Sequence, residues 1–418
     1  MNRVARAVHT SARPTLLGGL ILAGLAACHV ELPSSLEDAG DAERFEGCDL
    51  NVDFLISEAA RDGIQSLDDA RWVRAHESIP AYLDSDTRVI GLQVFGQTYA
   101  IPHNILWHHE IVNLQPGGPT GPKLAITYCP LTGSSLVFDR ESVGGATIGV
   151  SGITFMNNLV LWNRREPNES LWPQMLAEAR CGSGVGAKLA QHPFVEMEWS
   201  HWLELHPTTS VLAQDQGFDP IFFEYDRLGY PYGNYRESEP FYRAALTMPP
   251  LDRRRFSKER VVGLPSSASD PGIAFPFGAL TERERSFQVV EFVYEGDAAL
   301  VLWSDHAQGG TALRPVTESG EPLTVRPTTS GFEDEQTGSR WNVAGRATSG
   351  PLDGGGTPAT HRADPHGLWG CVGSVPSNDP PVAVAQAVDF APARENGPGG
   401  DAPGPFRQAA RSSCGPIS

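Results

Sequence analysis

Short apolar runs separated by turn residues recur along the chain, and their periodicity predicts strands more often than helices. "RVIGLQVFGQTYAIP" (residues 88–102) sets an apolar run on each side of "FGQ" and predicts a hairpin. "KLAITYC" (123–129) reads as a short buried strand. "SSLVFDRESVGGATIGVSG" (134–152) predicts a second hairpin around Gly144 and Gly145, and "FMNNLVLWNRR" (155–165) a further strand. Helical spacing is clearest in "VEMEWSHWLELHPTTSVL" (195–212), where Trp199, Trp202, Leu203 and Leu205 recur at helical intervals and Pro207 ends the run. "SLWPQMLAEA" (170–179) allows a short helix or a turn. "FQVVEFVY", "ALVLWSD" and "EPLTVRP" predict strands in the second half. With 44 glycines and 34 prolines, turns are plentiful and long helices disfavoured. The expected fold class is a β-rich α+β protein with few short helices.

Self-comparison sharpens the organisation. "RVIGL" (88–92) returns as "RVVGL" (260–264), and "AIPHNIL" (100–106) as "AFPFGAL" (274–280). "LAITY" (124–128) is matched by "ALVLW" (299–303), and "ESLWPQMLAEA" (169–179) by "GSRWNVAGRA" (338–347). The matches keep one order at similar offsets, which reads as two tandem copies of a β-rich unit. The first unit would span 61–215 and the second, degenerate one 260–352. An aromatic and proline-rich connector (216–259) lies between them and is expected to pack between the copies; a sugar or peptide site is the other use of such a cluster. The Gly/Pro-rich tail, 353–418, is expected to be poorly ordered, through divergence or a shifted reading frame.

Arg3, Arg6 and Arg13 precede the apolar run "LLGGLILAGLAA", which is too short for an ordinary membrane span and ends in small residues. Residues 1–27 therefore read as a signal peptide. Cys28 follows directly, and "LAAC" resembles a bacterial lipoprotein cleavage site, with Cys28 taking the lipid. His29 in place of Asp is compatible with transfer to the outer membrane, and residues 28–60 form an acidic tether. The expected location is the cell envelope, with membrane contact only through the anchor. A net charge of −18 argues against nucleic acid as a partner. In an oxidising compartment the remaining cysteines (Cys48, Cys129, Cys181, Cys371, Cys414) are odd in number, so at least one is not paired within the chain.

Two features carry candidate chemistry. Cys129 ends an apolar strand and enters a Pro-Leu-Thr-Gly turn, a place suited to a redox nucleophile, a metal ligand or a structural cysteine. "HNILWHHE" groups His103, His108, His109 and Glu110 within eight residues. Three imidazoles and a carboxylate suit a transition metal as cofactor, with Cys129 a further ligand, but the spacing fits no standard zinc motif. His109 and Glu110 could instead activate Cys129 or orient a loop. The second copy has Ser304 near the place of Cys129 and "FGALTERE" for "HNILWHHE", so it keeps the skeleton without the ligands. No Gly-x-Ser-x-Gly elbow supports serine-hydrolase chemistry. Asn157 and Asn158 read as turn residues, and "GSGVG" (182–186) as a loop.

The segments "RVIGLQVFGQTYAIPHNILWHHEIVN", "LAITYCPLTGSSLVFDR", "IGVSGITFMNNLVLWNRREPNESLWPQ" and "WSHWLELHPTTSVL" resemble a bacterial and archaeal family, domain-of-unknown-function family 3179. Some of its members are candidate selenoproteins. The resemblance implies no activity. It does mark His109, Glu110, Asn113, Cys129, Trp172 and Gln174 as positions that recur. Selenium in relatives favours redox or soft-metal chemistry. Thr132 stands where many members have a second cysteine, which removes a local dithiol, and His108 stands where Trp is usual. The leading expectation is an exported thiol-redox or metal-binding protein with a small-molecule or thiol partner. Its site would hold Cys129, His109 and Glu110, with the Cys129 sulfur within reach of the His109 ring. The alternative is a non-catalytic binding or assembly module in which these residues are structural.

Overall fold

The computed structural model describes residues 48–353, apart from 52–53, 166, 220–222, 226, 243–254, 265–272, 282–284, 295 and 318, together with the backbone of 371–373 and 383–384. The signal peptide, Cys28, most of the tether, Cys414 and most of the tail lie outside the described residues. The fold is β-rich, with 41% strand and 12% helix. Three short α-helices occur among the described residues: His103–His109, Trp199–Leu205 and Phe277–Thr281.

The hairpin expected at 88–102 is present. Arg88–Val94 pairs antiparallel with Gln97–Pro102, and Phe95 and Gly96 close the turn with φ of 53° and 69°. Positive φ at both turn positions matches the strand twist of a two-residue hairpin. Val195–Glu198 adds to this hairpin on one edge and Ser210–Leu212, parallel, on the other. Val195–Glu198 also meets Gly309–Leu313 through Glu196 and Gly310. One eight-stranded sheet therefore joins both halves of the chain.

The arrangement on 88–102 recurs on the matched segment. Val261–Leu264 and Ile273–Pro276 form an antiparallel hairpin, flanked by antiparallel Cys371–Gly373 and parallel Ala383–Val384. Each hairpin leads into a short helix, His103–His109 or Phe277–Thr281. Two pieces of the stretch expected to be poorly ordered are thus strands of a sheet.

The helix Trp199–Leu205 is fixed by Trp202, which is fully buried. Its ring fills the space over Gly91, where a Cβ would meet it at 2.3 Å. Any side chain at residue 91 would displace the helix, so the glycine of "RVIGL" is needed for close packing.

Leu124–Cys129 is the central feature. It lies between Ile111–Leu114 and Ser134–Asp139 in a four-stranded sheet and is buried on both faces. Strand side chains alternate. Leu124, Ile126 and Tyr128 enter a core with Ile90, Ile101, Ile105 and Leu106. Ala125 and Cys129 enter the opposite core, with Phe138, Leu161 and Trp172. Described residues of the connector reach both halves: Arg255 and Glu259 lie beside Gly278 of the second. Tyr230, Tyr232 and Tyr242 cover the Cys129 core, while Phe218, Phe223 and Leu228 cover the other, both built from the first half of the chain. Cys48 and Cys181 form a disulfide that ties the start of the described chain to a five-stranded sheet.

Candidate functional site

Cys129 is the last residue of its strand and faces Ser134 across the Pro130–Gly133 turn. It is free and buried. Its sulfur lies 3.6 Å from the Asn157 carbonyl oxygen, to which the thiol donates. The Thr132 hydroxyl and amide and the Leu159 amide are turned toward it as donors. Burial, and after it the nearby Glu110 carboxylate, push the thiol pKa up; those donors act against them. With burial the larger cause opposing ionisation, the thiol stays protonated at neutral pH.

The residues beneath Cys129 are a closed polar network. Asn158 Nδ2 donates to Gln174 Oε1 (2.9 Å), Thr132 Oγ1 (3.0 Å) and Ser134 Oγ (3.1 Å). Gln174 Nε2 donates to Thr127 Oγ1 at 2.8 Å, and Ser134 Oγ to Gln174 Oε1 at 2.8 Å. All five side chains are buried. Thr132 therefore completes a hydrogen-bond network rather than merely lacking a sulfur. Asn157 does serve a turn, at φ 63°, but Asn158 belongs to this network instead. Trp172 donates to Asn163 Oδ1 at 3.0 Å. Asn113 bridges two sheets, donating to the Ile148 carbonyl (2.9 Å) and accepting from the Ile148 amide (3.0 Å). Three of the supporting residues, Asn113, Trp172 and Gln174, thus act through internal hydrogen bonds.

The expected pairing of His109 with Cys129 does not form. His109 is the last helical residue and its ring lies among Phe218, Phe223 and Tyr225, on the core opposite Cys129. Nδ1 faces the Gln65 carbonyl at 2.7 Å, so it carries the proton and donates. Nε2 then accepts from the Tyr225 hydroxyl at 2.5 Å. Burial lowers its pKa to about 4, so the ring is neutral with both nitrogens engaged. No lone pair is left for a metal or a thiol proton. Glu110, the next residue, adopts φ 57° and ends the helix. That turn sends its carboxyl the other way, within electrostatic reach of Cys129 and Tyr232. Burial raises Glu110 to about 8, so it is protonated at neutral pH.

His103 and His108 do not join Cys129 or His109 either. His108 is half-buried beside the Gly229 backbone, and burial lowers its pKa. His103 opens its helix in a different setting, which sequence reasoning missed. Its Nε2 lies 3.2 Å from Glu196 Oε1, and Arg88 Nη2 lies 3.6 Å from Glu196 Oε2. The His103 ring packs on Tyr128 with centroids 4.4 Å apart. Burial would raise Glu196, but His103 and Arg88 overcome it and hold the carboxylate ionised. Burial lowers His103 despite Glu196, so a neutral imidazole donating from Nε2 to a carboxylate describes the pair at neutral pH.

These residues form the inner wall of a cleft of about 600 Å³. Arg236 and Arg260 stand on its rim, and Pro130, Leu131 and Gly133 of the Cys129 turn form part of its side. Cys129, His108, His109 and Glu110 do not line it. Arg88 Nε and Nη2, Glu196 Oε2 and Trp107 Nε1, all on lining residues, are buried without a hydrogen-bond partner. Arg236 lies over the Trp107 and Tyr230 rings (4.9 and 4.2 Å) and, like Arg260, makes no ion pair among the described residues. Arg88 and Arg260 head the two matched segments "RVIGL" and "RVVGL". The other available signal was Glu196, a carboxylate between the apolar Val195 and Met197 of a buried strand.

Among the described residues, His, Cys, Asp and Glu side chains converge at metal-ligand spacing only at His201, Glu204 and His306. The proposed set of Cys129, His109, His108 and His103 does not converge, because the sheet and the helix end separate its members.

A β-rich fold of this kind, with a Cys-Pro-Leu turn at the end of a buried strand, defines a class by structure rather than by reaction. The family model for "Protein of unknown function (DUF3179)" matches residues 61–366, more than half of the chain, and the chain belongs to that family. No curated protein and no solved structure matches it.

Proposed function

We propose that the chain is an exported, lipid-anchored binding protein whose cleft takes a small organic anion. The observation that carries this reading is the convergence on one cleft of two buried donors without a hydrogen-bond partner, Arg88 Nε and Trp107 Nε1, with Arg236 and Arg260, which make no ion pair among the described residues. Buried polar atoms without partners are costly, and a bound ligand that pairs with them recovers that cost. Arginines suit a carboxylate or phosphate, and Trp107 Nε1 supplies a further donor for the ligand. The Cys48–Cys181 disulfide supports an oxidising compartment, in line with the signal peptide and Cys28.

The geometry favours this over thiol-redox chemistry, because Cys129 is buried, beside an acid, and without a cation. A thermal-shift screen of mono-, di- and tricarboxylates and inorganic phosphate tests it. At least one member should raise the melting temperature of the wild type, and the exposed Arg260→Ala should weaken that shift. A screen with no shift, or one unaltered by Arg260→Ala, counts against the cleft.

A further inference from the structure

A second site lies outside the cleft and rests on separate observations. His201 and Glu204 are one turn apart on the helix Trp199–Leu205, and His306 sits in the turn between Asp297–Ser304 and Gly309–Leu313. Glu204 Oε2 is 3.3 Å from His201 Nδ1 and 3.6 Å from His306 Nε2. The three ligand atoms all lie within 4.8 Å of one another, and the two rings are 5.2 Å apart, nearly perpendicular. Tetrahedral zinc with bonds of about 2.0–2.1 Å requires ligand atoms about 3.4 Å apart, close to the two measured edges. His201 Nδ1 is buried, and the Glu204 carboxylate that it faces is too poorly aligned to satisfy it as a hydrogen-bond partner.

The backbone holds the helix and the turn that carry the three residues side by side. Val195–Glu198 runs into the helix and pairs with Gly309–Leu313, and the Glu198 amide donates to the Ala307 carbonyl at 3.0 Å. Trp202, fully buried, fixes the helix from below. Glu204 and His306 are 60% and 62% exposed at their side chains, so a fourth position opens to solvent. Two imidazoles and one carboxylate are the donors that a borderline divalent ion accepts.

We propose that His201, Glu204 and His306 bind one divalent transition-metal ion of the zinc class, with water as fourth ligand, and that the ion ties the helix to the turn. The ligands come from both halves of the chain, so the ion cross-links them beside the strand pair that joins the sheet.

Titration of the untagged, metal-stripped full chain with Zn²⁺ against a chromophoric chelator tests this. One equivalent should bind at neutral pH. His306→Ala and Glu204→Gln, both at exposed positions, should each weaken it at least about tenfold, while His108→Ala leaves it unchanged. Co²⁺ should give an intense tetrahedral visible spectrum in the wild type that His306→Ala abolishes. Absence of a stoichiometric ion, or equal affinity in His306→Ala and Glu204→Gln, overturns the site.

Discussion

Tyr128 and Cys129 are consecutive in one strand and serve different sites. The Tyr128 ring packs on His103 at 4.4 Å, in the cleft, while the Cys129 sulfur turns to the Asn157 carbonyl at 3.6 Å, in the opposite core. The two-residue period of a strand enforces this split. The "HNILWHHE" cluster is divided as well, with His103 beside Tyr128 and Glu110 within electrostatic reach of Cys129.

Cys129 should behave as an inert thiol. In a background where Cys371 and Cys414 are serine, thiol titration of the native protein should find Cys129 more than about a hundredfold slower than a free thiol, and fast after unfolding. A rapidly reacting native thiol that ionises below pH 7 would return Cys129 to the redox reading.

Glu110 should make stability fall with rising pH. Its carboxyl is raised to about 8 in the folded chain, against an ordinary value of 4.5. Between these values the folded state holds the proton that the unfolded state has lost, so its contribution is fully present below the unfolded value. It declines by up to about 1.4 kcal/mol per pH unit until about pH 8. Glu110→Gln removes this slope. Urea unfolding at a series of pH values should show the variant gaining on the wild type from pH 5 to pH 8, and a constant difference would contradict the burial of that carboxyl.

The network under Cys129 should fail as a unit. Asn158→Ala or Gln174→Ala strands several buried partners, and each should cost about 2–3 kcal/mol in chemical denaturation. The double variant should cost less than the two together, because both remove the 2.9 Å bond between them. Full additivity would mean that the two side chains act separately.

The Cys48–Cys181 bridge closes a long loop, with a sequence separation of 133. Cys48→Ser should lower stability by about 2–5 kcal/mol, read by denaturant titration under oxidising conditions. Equal stability with and without the bridge would argue against a structural role.

Much of the fold was legible in the sequence, and the site much less so. The hairpin over 88–102, the Trp199–Leu205 helix and the buried strand ending at Cys129 follow from local periodicity and turn residues. The cleft does not, because it depends on pairing across distance: Glu196 meets His103 and Arg88 only once Val195–Glu198 has joined the edge of the hairpin. His109 and Glu110 look like one unit in sequence, yet a single left-handed residue after the helix sends them to opposite sides. His201 and Glu204 lay in the helix that periodicity marked, but their third partner, His306, is a hundred residues further along, in a turn with no motif.

The most direct measurement is calorimetric titration of the strongest-shifting carboxylate, or of phosphate, into the wild type, Arg260→Ala and Cys129→Ser. A ligand held in the cleft predicts at least about tenfold weaker binding in Arg260→Ala and unchanged binding in Cys129→Ser. Unchanged binding in Arg260→Ala together with its loss in Cys129→Ser would place the site at the thiol and contradict the cleft.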